Sequence, residues 1–149
     1  MRSGGDRDAN VSAVDFALYD KKNIYALNGT ARYSKIWGSN PYDGYNTTLR
    51  FAKVSGNWQY NVTGNIESAN YDPRDLGFLA APNEITYRGG LSYRMFTPTK
   101  NFLTYSYSLS SRLTYLYKPY AYSYFDVAAT GFWVFKNFWD VTLKAVWRP

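Results

Sequence analysis

The sequence predicts an all-β fold, an antiparallel up-and-down transmembrane β-barrel with about eight strands visible in the chain. Three observations predict it. Apolar and polar residues alternate with a period of two along most of the chain. No stretch is apolar over the roughly 20 residues that a membrane-crossing helix needs. Aromatic residues make up 20% of the chain, 16 of them tyrosine, and they gather at the ends of the alternating segments.

The first segment places Val14, Phe16 and Leu18 against Asp15. The second sets Tyr25, Leu27, Gly29, Ala31 and Tyr33 against Asn28, Thr30, Arg32 and Ser34. The third sets Tyr45, Thr47, Leu49 and Phe51 against Asn46, Thr48 and Arg50. The fourth is the clearest: Trp58, Tyr60, Val62, Gly64 and Ile66 share one face, and Gln59, Asn61, Thr63, Asn65 and Glu67 the other. In the fifth, Ile85, Tyr87, Gly89, Leu91, Tyr93 and Met95 alternate with Glu84, Thr86, Arg88, Gly90, Ser92 and Arg94. The sixth sets Tyr105, Tyr107, Leu109, Leu113 and Tyr115 against Thr104, Ser106, Ser108, Ser110, Arg112 and Thr114. The seventh sets Phe125, Val127, Ala129, Gly131 and Trp133 against Asp126, Ala128 and Thr130. The last sets Trp139, Val141, Leu143, Ala145 and Trp147 against Asp140, Thr142, Lys144 and Arg148.

Asp20–Asn23, Ser55–Asn57, Thr97–Lys100 and Lys136–Asn137 read as tight turns, because Gly, Asn, Asp and Pro supply the dihedrals that such turns need. Trp37–Gly44, Tyr71–Asn83 and Leu116–Tyr120 read as longer links. Short connections at one end and long ones at the other is the outer-membrane pattern, with the tight turns periplasmic.

A soluble barrel or sandwich that binds a small ligand or carbohydrate also alternates, and it stands as the alternative. Three features favour lipid. Charged residues on the polar face need water or partners. Two aromatic belts bracket an aliphatic band of Val62, Leu91, Leu109, Val127 and Leu143. Small residues at mid-strand on the apolar face, such as Gly29, Gly64 and Ala129, would fill a protein core poorly. A mean hydropathy of -0.45 suits a wall of which only alternate residues meet lipid.

The chain has 149 residues, the size of one domain, and 1–149 reads as a single barrel domain. It contains no cysteine and no histidine, which excludes thiolate metal sites and Ser-His-Asp or Cys-His catalysis. The formal charge of +6 is scattered rather than clustered, so nucleic acid is not an expected partner. The opening Met1–Asp8 lacks an apolar h-region, which leads us to expect a fragment of a longer exported protein.

The segment Tyr71-Asp72-Pro73-Arg74-Asp75-Leu76-Gly77-Phe78-Leu79, followed by Pro82-Asn83-Glu84, resembles the C-terminal barrel region of a Bacteroidota outer-membrane family of uncharacterised function. Asn10–Asn23, Gly29–Trp37, Phe51–Trp58, Tyr117–Tyr120 and Asn137–Asp140 extend the resemblance. Arg74 stands where that pattern has asparagine. Full-length members carry an N-terminal domain like the family-nine carbohydrate-binding modules. The resemblance therefore implies a segment of a larger barrel, and it supplies no catalytic residue.

The expected function is a non-enzymatic, porin-like transport or surface role in the outer membrane of a Gram-negative bacterium. Expected partners are membrane lipid, lipopolysaccharide, and the remaining strands or the N-terminal module. No catalytic residue, cofactor or metal is expected. Candidate lumen residues are Arg50, Glu67, Glu84, Arg88, Arg94, Arg112 and Lys144. Glu67 and Glu84 could serve a glycosidase as paired carboxylates, but ion pairing with Arg88, Arg94 or Arg112 is the better expectation. Candidate outer-loop residues are Tyr71, Asp72, Asp75 and Phe78. Asp72 and Asp75 read as turn-formers before they read as cation ligands.

Overall fold

The computed structural model describes residues 7–74 and 82–149. Eight strands run in chain order: β1 (Arg7–Tyr19), β2 (Tyr25–Gly38), β3 (Tyr42–Lys53), β4 (Trp58–Glu67), β5 (Glu84–Met95), β6 (Phe102–Leu116), β7 (Ala121–Phe135) and β8 (Asp140–Trp147). They form one antiparallel up-and-down sheet in the order β1 to β8, with no helix among the described residues. The sheet is open, and among the described residues no strand pairs with the outer edge of β1 or β8.

Local chemistry sets the hairpins. Between β1 and β2 the Asp20 carboxylate accepts hydrogen bonds from the backbone N–H groups of Ile24 and Tyr25, at 2.6 and 2.7 Å. Asn23 takes the left-handed conformation there, at φ 51°. These backbone bonds, Tyr25 first, hold the Asp20 carboxyl below the usual carboxylate range. Between β3 and β4, Gly56 sits at φ 83°, where a side chain would be strained.

The connections do not alternate in length as expected. The ladder of β2 with β3 continues to the Ile36–Tyr42 pair, so the expected long link at Trp37–Gly44 shrinks to residues 39–41. Leu116 likewise pairs with Ala121, and residues 117–120 make another short turn. Among the described strands, β4 and β5 alone are separated by a long stretch of sequence, residues 68–83. Backbone hydrogen bonds carried pairing past the point where side-chain alternation fades. The β1 strand starts at Arg7, ahead of its amphipathic segment, for the same reason.

The usual burial order is inverted. The buried apolar side chains are Ala26, Ile36, Ala52 and Tyr71, while Ser34, Asn46, Ser68, Asp72, Thr86 and Thr114 are buried polar residues. Val62 and Leu143 are about six-tenths exposed. The chain exposes 10653 Å², whereas a compact soluble chain of its 17.2 kDa would expose roughly 7,800 Å². Among the described residues no second layer covers its apolar face.

Candidate functional site

Because cross-strand partners point to the same side of a sheet, the register converts sequence into rungs that run across the strands. On the polar face, one rung reads Asn28, Arg50, Thr63, Arg88, Arg112, Asp126. It gathers three of the lumen candidates. Arg88 lies directly opposite Arg112, and Arg50 lies one strand beyond Thr63. Arg112 Nε donates to Asp126 Oδ1 at 3.1 Å, and its guanidinium lies 5.0 Å from the centre of the Tyr124 ring. Arg50 and Arg88 have no side-chain hydrogen bond or ion pair among the described residues.

The glutamates occupy a different rung, Arg32–Asn46–Glu67–Glu84, four residues along β4 and β5 from the arginines. Ion pairing of Glu67 and Glu84 with Arg88, Arg94 or Arg112 does not occur. At about 3.4 Å per residue the two rungs lie roughly 14 Å apart along the strands, and no contact forms between them. Glu67 accepts from Asn46 Nδ2 at 3.3 Å and from Asn65 Nδ2 at 3.2 Å, and Glu84 accepts from the Thr86 hydroxyl. Arg32 donates to Asn46 Oδ1 at 2.9 Å, so Asn46 relays between a cation and Glu67. Two more lumen candidates stand alone towards the tight turns, Arg94 opposite Ser106 and Lys144 opposite Thr130.

The described part of the connection after β4 is residues 68–74. It folds back over the polar face of β2 and β3. Tyr71 and Asp72 are both buried. Ser34 Oγ accepts the Asp72 backbone N–H at 2.9 Å, and the same hydroxyl donates to the Gly44 carbonyl. The Tyr42 hydroxyl donates to Asp72 Oδ2 at 2.6 Å. A Cβ on Gly44 would collide with the backbone of Asn70 and Tyr71, so glycine lets the loop lie flat on the strand. Asp72 accepts from the Arg74 backbone in an Asx turn and from the Arg74 guanidinium at 2.8 and 2.7 Å. That guanidinium first, and the Tyr42 hydroxyl after it, hold the Asp72 carboxyl well below the usual carboxylate range despite its burial. Burial pushes the Tyr71 hydroxyl up. Asp75 and Phe78 lie outside the described residues. Sequence reasoning missed Ser34, Tyr42 and Gly44 as the dock. The available signal was a glycine set across from a serine on the polar faces of two neighbouring strands.

The opposite face carries rings at both ends. Trp58, Tyr93, Tyr105, Phe102 and Phe135 form a chain of contacts near the tight turns, with neighbouring centroids 4.9 to 6.2 Å apart. At the other end Tyr115 stacks on Tyr120 and meets Tyr122 edge-on, while the Tyr45 and Tyr117 hydroxyls share a 2.9 Å hydrogen bond. The aliphatic band lies between. The space over Gly29 is taken by the Phe16 ring and that over Gly131 by Trp133, so two of the strand glycines are covered by neighbouring aromatics. A shallow apolar groove runs over Ala129, Gly131 and Ala145, walled by Trp58, Tyr107 and Leu143.

Among the described residues no group of three or more acidic, His or Cys side chains is placed to hold a metal ion. Among the described residues no helix is long and apolar enough to cross a membrane, which says nothing of strands.

The family model described as "Domain of unknown function (DUF5916)" matches residues 1–149, and the chain belongs to that family. No curated protein and no solved structure matches it.

Proposed function

We propose that this DUF5916 chain forms part of the wall of an outer-membrane β-barrel in a Gram-negative bacterium. Its apolar face lies against lipid, its polar face lines a wet lumen, and its role is transport or surface architecture rather than catalysis. The observation that carries this reading is the exposed aliphatic band between two aromatic belts, backed by a face on which serine, threonine and asparagine are the better protected residues. Leu49, Val62, Leu109 and Leu143 are half to six-tenths exposed, so covering them with lipid would stabilise the sheet by roughly 1–2 kcal/mol each. A soluble sandwich would need a second sheet over that face, and all eight strands lie in one sheet. The groove over Ala129 and Gly131 suits an acyl chain, including one from lipopolysaccharide.

The free edges of β1 and β8 fit the same reading. Unpaired strand edges are not tolerated in hydrocarbon, so in a membrane both edges would pair, with each other or with further strands. Glu67 and Glu84 serve as hydrogen-bonded lumen groups here. Glu67→Gln should therefore leave no hydrolytic activity to lose.

The test is solubility and insertion. The chain should require detergent or lipid for a monodisperse state, and it should acquire protease protection when folded into vesicles. A monodisperse monomer in plain buffer would sink the proposal.

A further inference from the structure

We infer that the Arg50–Arg88–Arg112 rung is a binding site for a small multivalent oxyanion, a free solute bearing phosphate or carboxylate groups. This deepens the lumen reading by naming the class of solute that the polar face would take.

Directly opposed like charges destabilise a strand pair, yet Arg88 faces Arg112. Acidic partners are present on the same face, but on another rung, where Asn46, Asn65 and Thr86 occupy them. Only Arg112 is compensated, by Asp126. Arg50 and Arg88 keep every guanidinium donor unassigned among the described residues. Strands are spaced about 4.8 Å apart, so Arg50 and Arg88 stand roughly 9.6 Å apart with the Thr63 side chain between them. That spacing lets two planar forks reach one multivalent anion from either side, each offering paired N–H donors.

The surroundings fit such a guest. The next rung towards the tight turns is Ala52, Asn61, Gly90, Ser110, Ala128, uncharged residues of which Asn61 lies over Gly90, so no further charge competes with the arginines there. On the other side lies Thr114, whose buried hydroxyl has no hydrogen-bond partner among the described residues. A buried hydroxyl left without a partner is costly, and it marks this stretch of the polar face as one whose polar groups are not all satisfied within the sheet. The site faces away from the aliphatic band. A phosphate carried on a lipid headgroup in the bilayer would therefore not reach it, whereas a solute in the lumen would.

Tripolyphosphate titrated into the full chain folded in zwitterionic detergent tests the site, with calorimetry and arginine Nε–H NMR as readouts. Saturable binding should move the Arg50 and Arg88 resonances. Each of Arg50→Gln and Arg88→Gln should weaken it by about tenfold, with far-UV circular dichroism unchanged because a repulsion is being removed. Arg94→Gln, on another rung, should change nothing. Asp126→Asn frees Arg112 and should tighten binding severalfold, a gain that a purely structural role for these residues would not produce. Absent binding to the folded chain, or equal affinity in the Arg50 and Arg88 variants, overturns the site. Detergent dependence reads the apolar face and anion affinity reads the polar one, so the membrane proposal and this one fail separately.

Discussion

Gly44 has no room for a side chain, because a Cβ there would enter the backbone of Asn70 and Tyr71. Gly64 is the contrast, since a Cβ there would lie 3.9 Å from the Tyr87 ring, an ordinary contact. Gly44→Val should therefore lift the folded-back loop from the strand, at a cost of about 1–3 kcal/mol, while Gly64→Ala should be nearly neutral. Trypsin cleavage after Arg74 reads this directly: faster cutting in the first variant and an unchanged rate in the second. The Asp72 latch gives the loop a pH dependence of known sign. A carboxyl whose folded pKa is depressed adds stability above its unfolded value, near 3.9 for aspartate, and loses it only as pH falls through the folded value. The loop should stay docked when ordinary carboxylates are half protonated and let go only in stronger acid. Asp72→Asn should raise cleavage at neutral pH and flatten that acid response. Cleavage in the native chain that tracked ordinary carboxylate titration would contradict the latch.

At the level of strands, β4, β5 and β6 were legible because each alternates cleanly and is bounded by turn residues. The ends of β1, β2 and β3 were not. Pairing there runs through Lys35–Asp43 and Asn10–Lys35, where side-chain polarity no longer marks a face. Which polar-face residues meet was also illegible, since the rung on which Glu67 faces Glu84 depends on register across a long connection. The docked loop stayed hidden for a related reason: Tyr71 looks like a belt aromatic until Ser34 and Gly44 are known to be neighbours. Edge position makes a prediction of its own. The residues of β8 are all exposed, and among the described residues they pair only with β7. In detergent-solubilised chain, amides of β4 and β5 should exchange slowest and those of β8 fastest. If the free edges pair when the wall is completed in lipid, the protection of β1 and β8 should rise selectively. Uniform exchange across all eight strands would argue against edges that close in the membrane.

Taken as one sheet, the molecule offers two faces whose tolerance of charge should differ, and that difference separates a lipid wall from a soluble layer. Leu109 lies at mid-strand in the aliphatic band and is half exposed, so in water Leu109→Arg would replace one exposed side chain with another at little cost. Ser108, its neighbour on β6, points to the polar face, in register with Ser92 and Thr130. Against lipid, an arginine at the bilayer midplane costs about 2–4 kcal/mol, falling towards zero near the interfaces. Leu109→Arg should therefore impair folding into vesicles by that amount while Ser108→Arg has little effect. The same substitution at Tyr115, in the belt near the strand end, should cost less than at Leu109. Urea titrations of the vesicle-folded variants measure the series. A gradient that peaks at Leu109 and fades at both belts follows from a membrane-spanning wall. Equal, small effects at Leu109, Tyr115 and Ser108 would mean that water bathes both faces.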